Sequence, residues 1–142
     1  MKFVLYVFAF ALLSGCVPMY KTMQPESEVI VFDENGMPIE DASAYLIRYS
    51  NPYRVFIDKE VALTDKNGVA KFNEINEWAR VLLLPHGNPA YFWNWCIRKK
   101  GYVTQISNYQ LTQQFKTHMR FLLPKGASQL CKDVIKEYNS NK

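Results

Sequence analysis

Three thiols, Cys16, Cys96 and Cys131, and two imidazoles, His86 and His118, are the most reactive side chains in this sequence. A thiolate is a nucleophile and a soft metal ligand, while imidazole is a base near neutral pH and the commonest metal donor. A zinc centre collects three or four N, S or O ligands. His86 sits in the run Pro85-His86-Gly87-Asn88-Pro89 and His118 in a strand-like run, and neither has a partner at ligand spacing. A metal role is not expected. No G-x-S-x-G, H-E-x-x-H, phosphate loop or dinucleotide fingerprint occurs, and no two carboxylates are paired by spacing as acid and base. Asp33-x-Asn35-Gly36 and Asp65-x-Asn67-Gly68 open as calcium loops do, but both lack the longer acidic run and the distant bidentate glutamate. Turn chemistry explains them better. The expectation is a protein that is not an enzyme and carries no cofactor.

The densest unusual chemistry is Tyr91-Phe92-Trp93-Asn94-Trp95-Cys96-Ile97-Arg98. In a strand, alternation puts Tyr91, Trp93, Trp95 and Ile97 on one face and Phe92, Asn94, Cys96 and Arg98 on the other. Either the tryptophan face packs into a core, or Tyr91, Trp93 and Trp95 form an exposed ladder that grips a saccharide or a partner strand. Large aromatics dominate core energetics, which favours packing. Solvent exposure of Trp93 and Trp95 separates the two.

The elements that position these groups begin with the amino terminus. Met1-Lys2 is a short basic start, and Phe3 to Leu13 is an unbroken apolar run. A bilayer-spanning helix needs about 20 apolar residues, so this run is too short to remain as an anchor. It has the length of a secretory signal core, followed by small residues at the place of a cleavage site. Those residues, Leu13-Ser14-Gly15-Cys16, closely resemble the lipobox of bacterial lipoprotein precursors. The resemblance implies lipidation of the Cys16 sulfur, cleavage after Gly15 and acylation of the new amino terminus. Two or more acyl chains anchor a protein stably, where one does so marginally. Val17 follows where an aspartate would be the familiar inner-membrane retention signal, so the resemblance favours the outer membrane. The alternative is an ordinary signal peptide with an incidental cysteine.

Cleavage removes Lys2, and the formal charge falls from +4 to +3. With no dense basic stretch, nucleic-acid binding is not suggested. Lipidation of Cys16 leaves Cys96 and Cys131 as the remaining pair, and an oxidising compartment favours a disulfide between them. Closing that loop would stabilise the fold by roughly 3–4 kcal/mol in the chain-entropy model. Two separate buried thiols are the alternative.

Residues 1–15 thus read as a lipoprotein signal peptide and 16–27, with two prolines and no sustained periodicity, as a lipidated tether. From residue 28 to 126 short β-type runs are broken by turn signals, which argues for a single antiparallel β-sandwich. Residues 127–142 form a helix and tail: Ser128 is a candidate cap, and Leu130, Cys131, Val134, Ile135 and Tyr138 share one helical face that could cover Cys96. Asn67-Gly68 lies between two β-like runs and suits a type I′ hairpin turn.

Three segments carry a resemblance: Asp33-Glu34-Asn35-Gly36-Met37-Pro38-Ile39, Thr64-Asp65-Lys66-Asn67-Gly68 and Lys100-Gly101-Tyr102. In this order they resemble the carboxypeptidase regulatory-like, or transthyretin-like, β-sandwiches. That group includes scaffolds, adhesion modules and enzyme appendages, so the resemblance implies a fold and no particular activity. The expectation is a noncatalytic envelope module, lipid-anchored in the bilayer on the periplasmic face of the outer membrane and engaging a protein partner. The alternative is a lipoprotein that binds peptidoglycan or another saccharide through exposed aromatics.

Overall fold

The computed structural model describes residues 16–51, 55–82, 90–109 and 111–131. The segment read as a signal peptide and the stretch holding His86 lie outside the described residues. Nine strands account for most of the rest: β1 Cys16–Gln24, β2 Ser27–Phe32, β3 Ser43–Asn51, β4 Val55–Leu63, β5 Val69–Phe72, β6 Ile75–Leu82, β7 Ala90–Arg98, β8 Gln105–Ile106 and β9 His118–Leu122. A single 3-10 turn spans Thr112–Gln114. The protein is mainly β, as the alternating runs predict.

The strands form three sheets: β5-β2-β9, β4-β3-β7-β8 and a two-stranded ribbon of β1 and β6. The first two face each other. Val29, Val31, Ala70, Phe72 and Phe121 from one meet Ala44, Leu46, Trp93, Trp95 and Ile97 from the other in one buried cluster. This is the sandwich arrangement the sequence suggests. It departs from a purely antiparallel one at β2 and β9, which run parallel with Glu28 opposite His118 and Phe32 opposite Leu122. A parallel pair needs a long crossover, and here the larger sheet supplies it.

Both Asp-x-Asn-Gly segments are turns of the same construction. Asp33 Oδ1 accepts the amides of Asn35 and Met37, and Asp65 Oδ1 accepts those of Asn67 and Val69, all at 2.8–2.9 Å. Each carboxylate is engaged with backbone N–H groups, which is turn chemistry. The second turn is not type I′, because Gly68 adopts positive φ (72°) while Asn67 does not. It also joins two sheets, since β5 pairs with β2 and β4 with β3. Gly68 has a second role there: a Cβ would stand 2.3 Å from the Val31 carbonyl oxygen.

The segment expected as an unstructured tether is different. Residues 16–24 are strand β1, antiparallel to β6 from Cys16 opposite Leu82 to Gln24 opposite Ile75. A β partner this distant in sequence leaves no local periodicity to read. The expected carboxy-terminal helix is not supported. Residues 127–130 are irregular and 132–142 lie outside the described residues. The Gln129 amide and carbonyl are both taken by the Thr104 hydroxyl, at 3.0 and 2.7 Å, and so are diverted from helical bonding.

Candidate functional site

Strand β7 occupies an interior position between β3 and β8, so both of its faces can be covered. Its inward parity is as expected. Trp95 is 0% exposed and Trp93 6%, and the ring of Phe115 lies 5.4 and 5.6 Å from theirs. Each indole N–H is satisfied by a backbone carbonyl, Trp93 Nε1 by Met23 and Trp95 Nε1 by Lys116, both at 3.2 Å. A buried ring with its polar handle paired is a structural element. The alternative of an exposed ladder at Trp93 and Trp95 is overturned by this burial. Tyr91, the third residue of that set, is half-buried beneath the Lys21 ammonium, 4.6 Å from its ring centre.

The opposite face of β7 carries a second core. Phe92 and Cys96 pack with Ile47 and Tyr49 of β3 and with Cys131. Cys96 and Cys131 are disulfide-bonded, with Cα atoms 6.0 Å apart. Residues 127–130, which lead into Cys131, are irregular chain, and they deliver the sulfur expected of the covering segment. Tyr49 stacks on Phe92 at 5.2 Å, and burial pushes its phenol up to about 12.

Beyond the second core this outer face is mostly apolar, with Lys59 over the Tyr45 ring as its charged member. Phe56, Val61 and Leu63 on the edge strand β4 stand opposite Tyr49, Tyr45 and Ser43 in register, and all three are exposed. The strand runs from Val55 to Leu63 and carries charges at Asp58, Lys59 and Glu60. A nine-residue edge with exposed apolar side chains is a ready template for another surface. The charged residues on its other parity are used internally: Asp58 pairs with Arg48, and Glu60 accepts a hydrogen bond from Gln24.

A hollow of about 240 Å³ lies at the edge of the smaller sheet, lined by Glu26, Ser27, Glu28, Lys71, Phe72 and His118. It contains the residue types of a hydrolase but not their arrangement. Ser27 Oγ is buried without a hydrogen-bond partner, so it is not paired with His118. His118 Nδ1 instead faces the Thr117 hydroxyl at 3.1 Å, and Lys71 pairs with Glu28 at 3.5 Å. Among the described residues no three His, Cys, Asp or Glu are grouped to hold a metal.

Cys16, the residue singled out for lipidation, is the first residue of β1. Four positions along the same strand, Tyr20 pairs with Trp78 across the ribbon, their ring centres 5.4 Å apart. Sequence reasoning missed this pair. Its members are 58 residues apart in the chain, and only the register of β1 on β6 brings them together. Compared with protein-family models, curated proteins and solved structures, the chain matches none.

Proposed function

We propose that this chain is a membrane-anchored envelope lipoprotein, acylated at Cys16, whose transthyretin-like sandwich is a noncatalytic module engaging a protein partner on the periplasmic face of the outer membrane. The observation that carries the proposal is the apolar run Phe3 to Leu13 ending in Leu13-Ser14-Gly15-Cys16. Among the described residues no helix is long and apolar enough to cross a membrane. The fold part is supported by the three motif segments, each of which forms a turn between strands; Gly36, Gly68 and Gly101 all take positive φ there. The partner part is supported by the exposed apolar edge at Phe56, Val61 and Leu63. The saccharide alternative loses its main support with the burial of Trp93 and Trp95.

The test pairs the native chain with Cys16→Ala in intact cells. Incorporation of a clickable palmitate into the native chain only, with its recovery in the outer-membrane fraction, is the expected outcome. A native chain that takes no label and stays with the soluble fraction would overturn the proposal. A photo-crosslinker placed at position 61 then tests the partner: one discrete adduct is expected there and none from a crosslinker at exposed Lys71, on strand β5 of the facing sheet.

A further inference from the structure

The ribbon of β1 and β6 is tied to the sandwich at one end. The Met23 carbonyl accepts hydrogen bonds from the Arg48 guanidinium at 3.0 Å and from the Trp93 indole at 3.2 Å. Gln24 donates to the Asn73 carbonyl at 2.9 Å, and Lys21 lies over Tyr91. Toward the other end nothing among the described residues covers the face that bears Tyr20 and Trp78. They are 61% and 73% exposed, and Trp78 is the most exposed large hydrophobic side chain among the described residues. Two-stranded ribbons are marginal in water without a further layer. The contact between the two rings leaves most of both in solvent. The pair is better explained by what it meets than by what it holds.

We propose that Tyr20 and Trp78 form a membrane-contact surface that docks on the headgroup layer of the bilayer holding the Cys16 acyl chains. The inference rests on the acylation of Cys16 proposed above. Tyr20 is four residues from Cys16, about 13 Å along a strand, so an acylated Cys16 keeps the pair within reach of the bilayer surface at all times. The ribbon needs only to incline toward that surface for both rings to enter it. Tyrosine and tryptophan favour this layer because an apolar ring and a polar O–H or N–H match its two sides. The register positions of the same parity, Pro18, Thr22, Asn76 and Arg80, include no carboxylate to oppose anionic headgroups. A lipid anchor alone leaves a domain free to swing, and this second contact selects one orientation of the sandwich on the membrane.

The test uses the lipidated full-length product, purified in detergent and reconstituted into phosphatidylethanolamine–phosphatidylglycerol vesicles. Trp93 and Trp95 are buried, so the native spectrum minus that of Trp78→Phe isolates Trp78. Strong quenching of this signal by lipids spin-labelled near the headgroup is expected. So is a several-fold drop in iodide quenching relative to the same protein in detergent-free soluble form as Cys16→Ala. Iodide quenching as strong on vesicles as in solution, with no effect of spin-labelled lipid, would overturn the proposal. Protection from iodide in native membranes, without quenching by labelled lipid on vesicles, would mean that a protein covers the pair, and would also overturn it. Mass spectrometry of Cys16 in the same preparation separates the failures. An acylated Cys16 with a solvent-exposed Trp78 removes this inference alone, whereas an unmodified Cys16 removes both it and the lipoprotein assignment.

Discussion

Strand β7 and the β1–β6 ribbon use the same aromatic side chains in the same extended backbone and give them opposite fates. Trp95 on β7 is fully buried and Trp78 on β6 is 73% exposed. Residue type does not decide this, and neither does the two-residue period. What differs is the number of layers. β7 has a strand on each side, a facing sheet across its inner face and the Cys131 strap across its outer face. The ribbon has two strands and is tied to the sandwich at one end. An aromatic face on a central strand is thus part of the core, whereas the same face on a two-stranded ribbon is left for something outside the fold.

The largest effect expected from this contrast is at Trp95. Replacing it with alanine removes a ring packed against Phe72 and Phe115 and orphans the Lys116 carbonyl. A loss of about 3–5 kcal/mol is expected in denaturant unfolding of the soluble mature chain. A loss below 1 kcal/mol would show that the inner face of β7 is not the packed core described above.

The outer face of β7 comes next. The Cys96–Cys131 bond closes a loop across 35 residues, and its removal by Cys96→Ala with Cys131→Ala is expected to cost about 3–4 kcal/mol. Unfolding of the native chain with and without reductant should reproduce most of that difference. Equal midpoints under both conditions would leave the strap without an energetic role and reduce β7 to a one-sided strand.

A smaller effect follows from Tyr49 in the same outer cluster. Burial raises its phenol to about 12, while an unfolded tyrosine titrates near 10. The folded state therefore binds the proton more tightly. The associated stability is fully present below pH 10 and is lost as pH rises through about 12. The loss attributable to this group is about 1–2 kcal/mol, and Tyr49→Phe should flatten the profile of unfolding midpoint against pH in that window. Some slope should remain, because burial raises Tyr109 as well.

The parity of β7 was legible because alternation is local and eight residues long. The two Asp-x-Asn-Gly turns were legible for the same reason: the aspartate bonds to amides two and four residues on. The disulfide was legible in the cysteine number, once an oxidising compartment was expected. Elements fixed by distant partners were not legible. β1 contains Pro18 and reads as a linker until β6 lies beside it. The first part of β4 gives no clean strand pattern because an edge strand keeps its charges, here Asp58, Lys59 and Glu60. The parallel pairing of β2 with β9 joins residues ninety positions apart, such as Glu28 and His118, and no local pattern encodes that. The helix expected after Ser128 is not supported where the chain is described: the hydroxyl of Thr104, a residue far back in the chain, takes both backbone groups of Gln129, and 132–142 lie outside the described residues.

The smallest effect is the most informative about the ribbon. Trp78→Ala removes as large a side chain as Trp95→Ala does, yet the soluble Cys16→Ala form of the protein should change in stability by only about 0.5–1.5 kcal/mol, the worth of the contact with Tyr20. The same measurement on Trp78→Ala and Trp95→Ala, run side by side, therefore compares two tryptophans that differ only in layers. If Trp78→Ala cost as much as Trp95→Ala, the ring would be carrying the fold, and its exposure would need no external partner. If it costs little, an exposed aromatic of this size is retained for a contact the isolated chain does not make. The ribbon is then the outward-facing counterpart of β7.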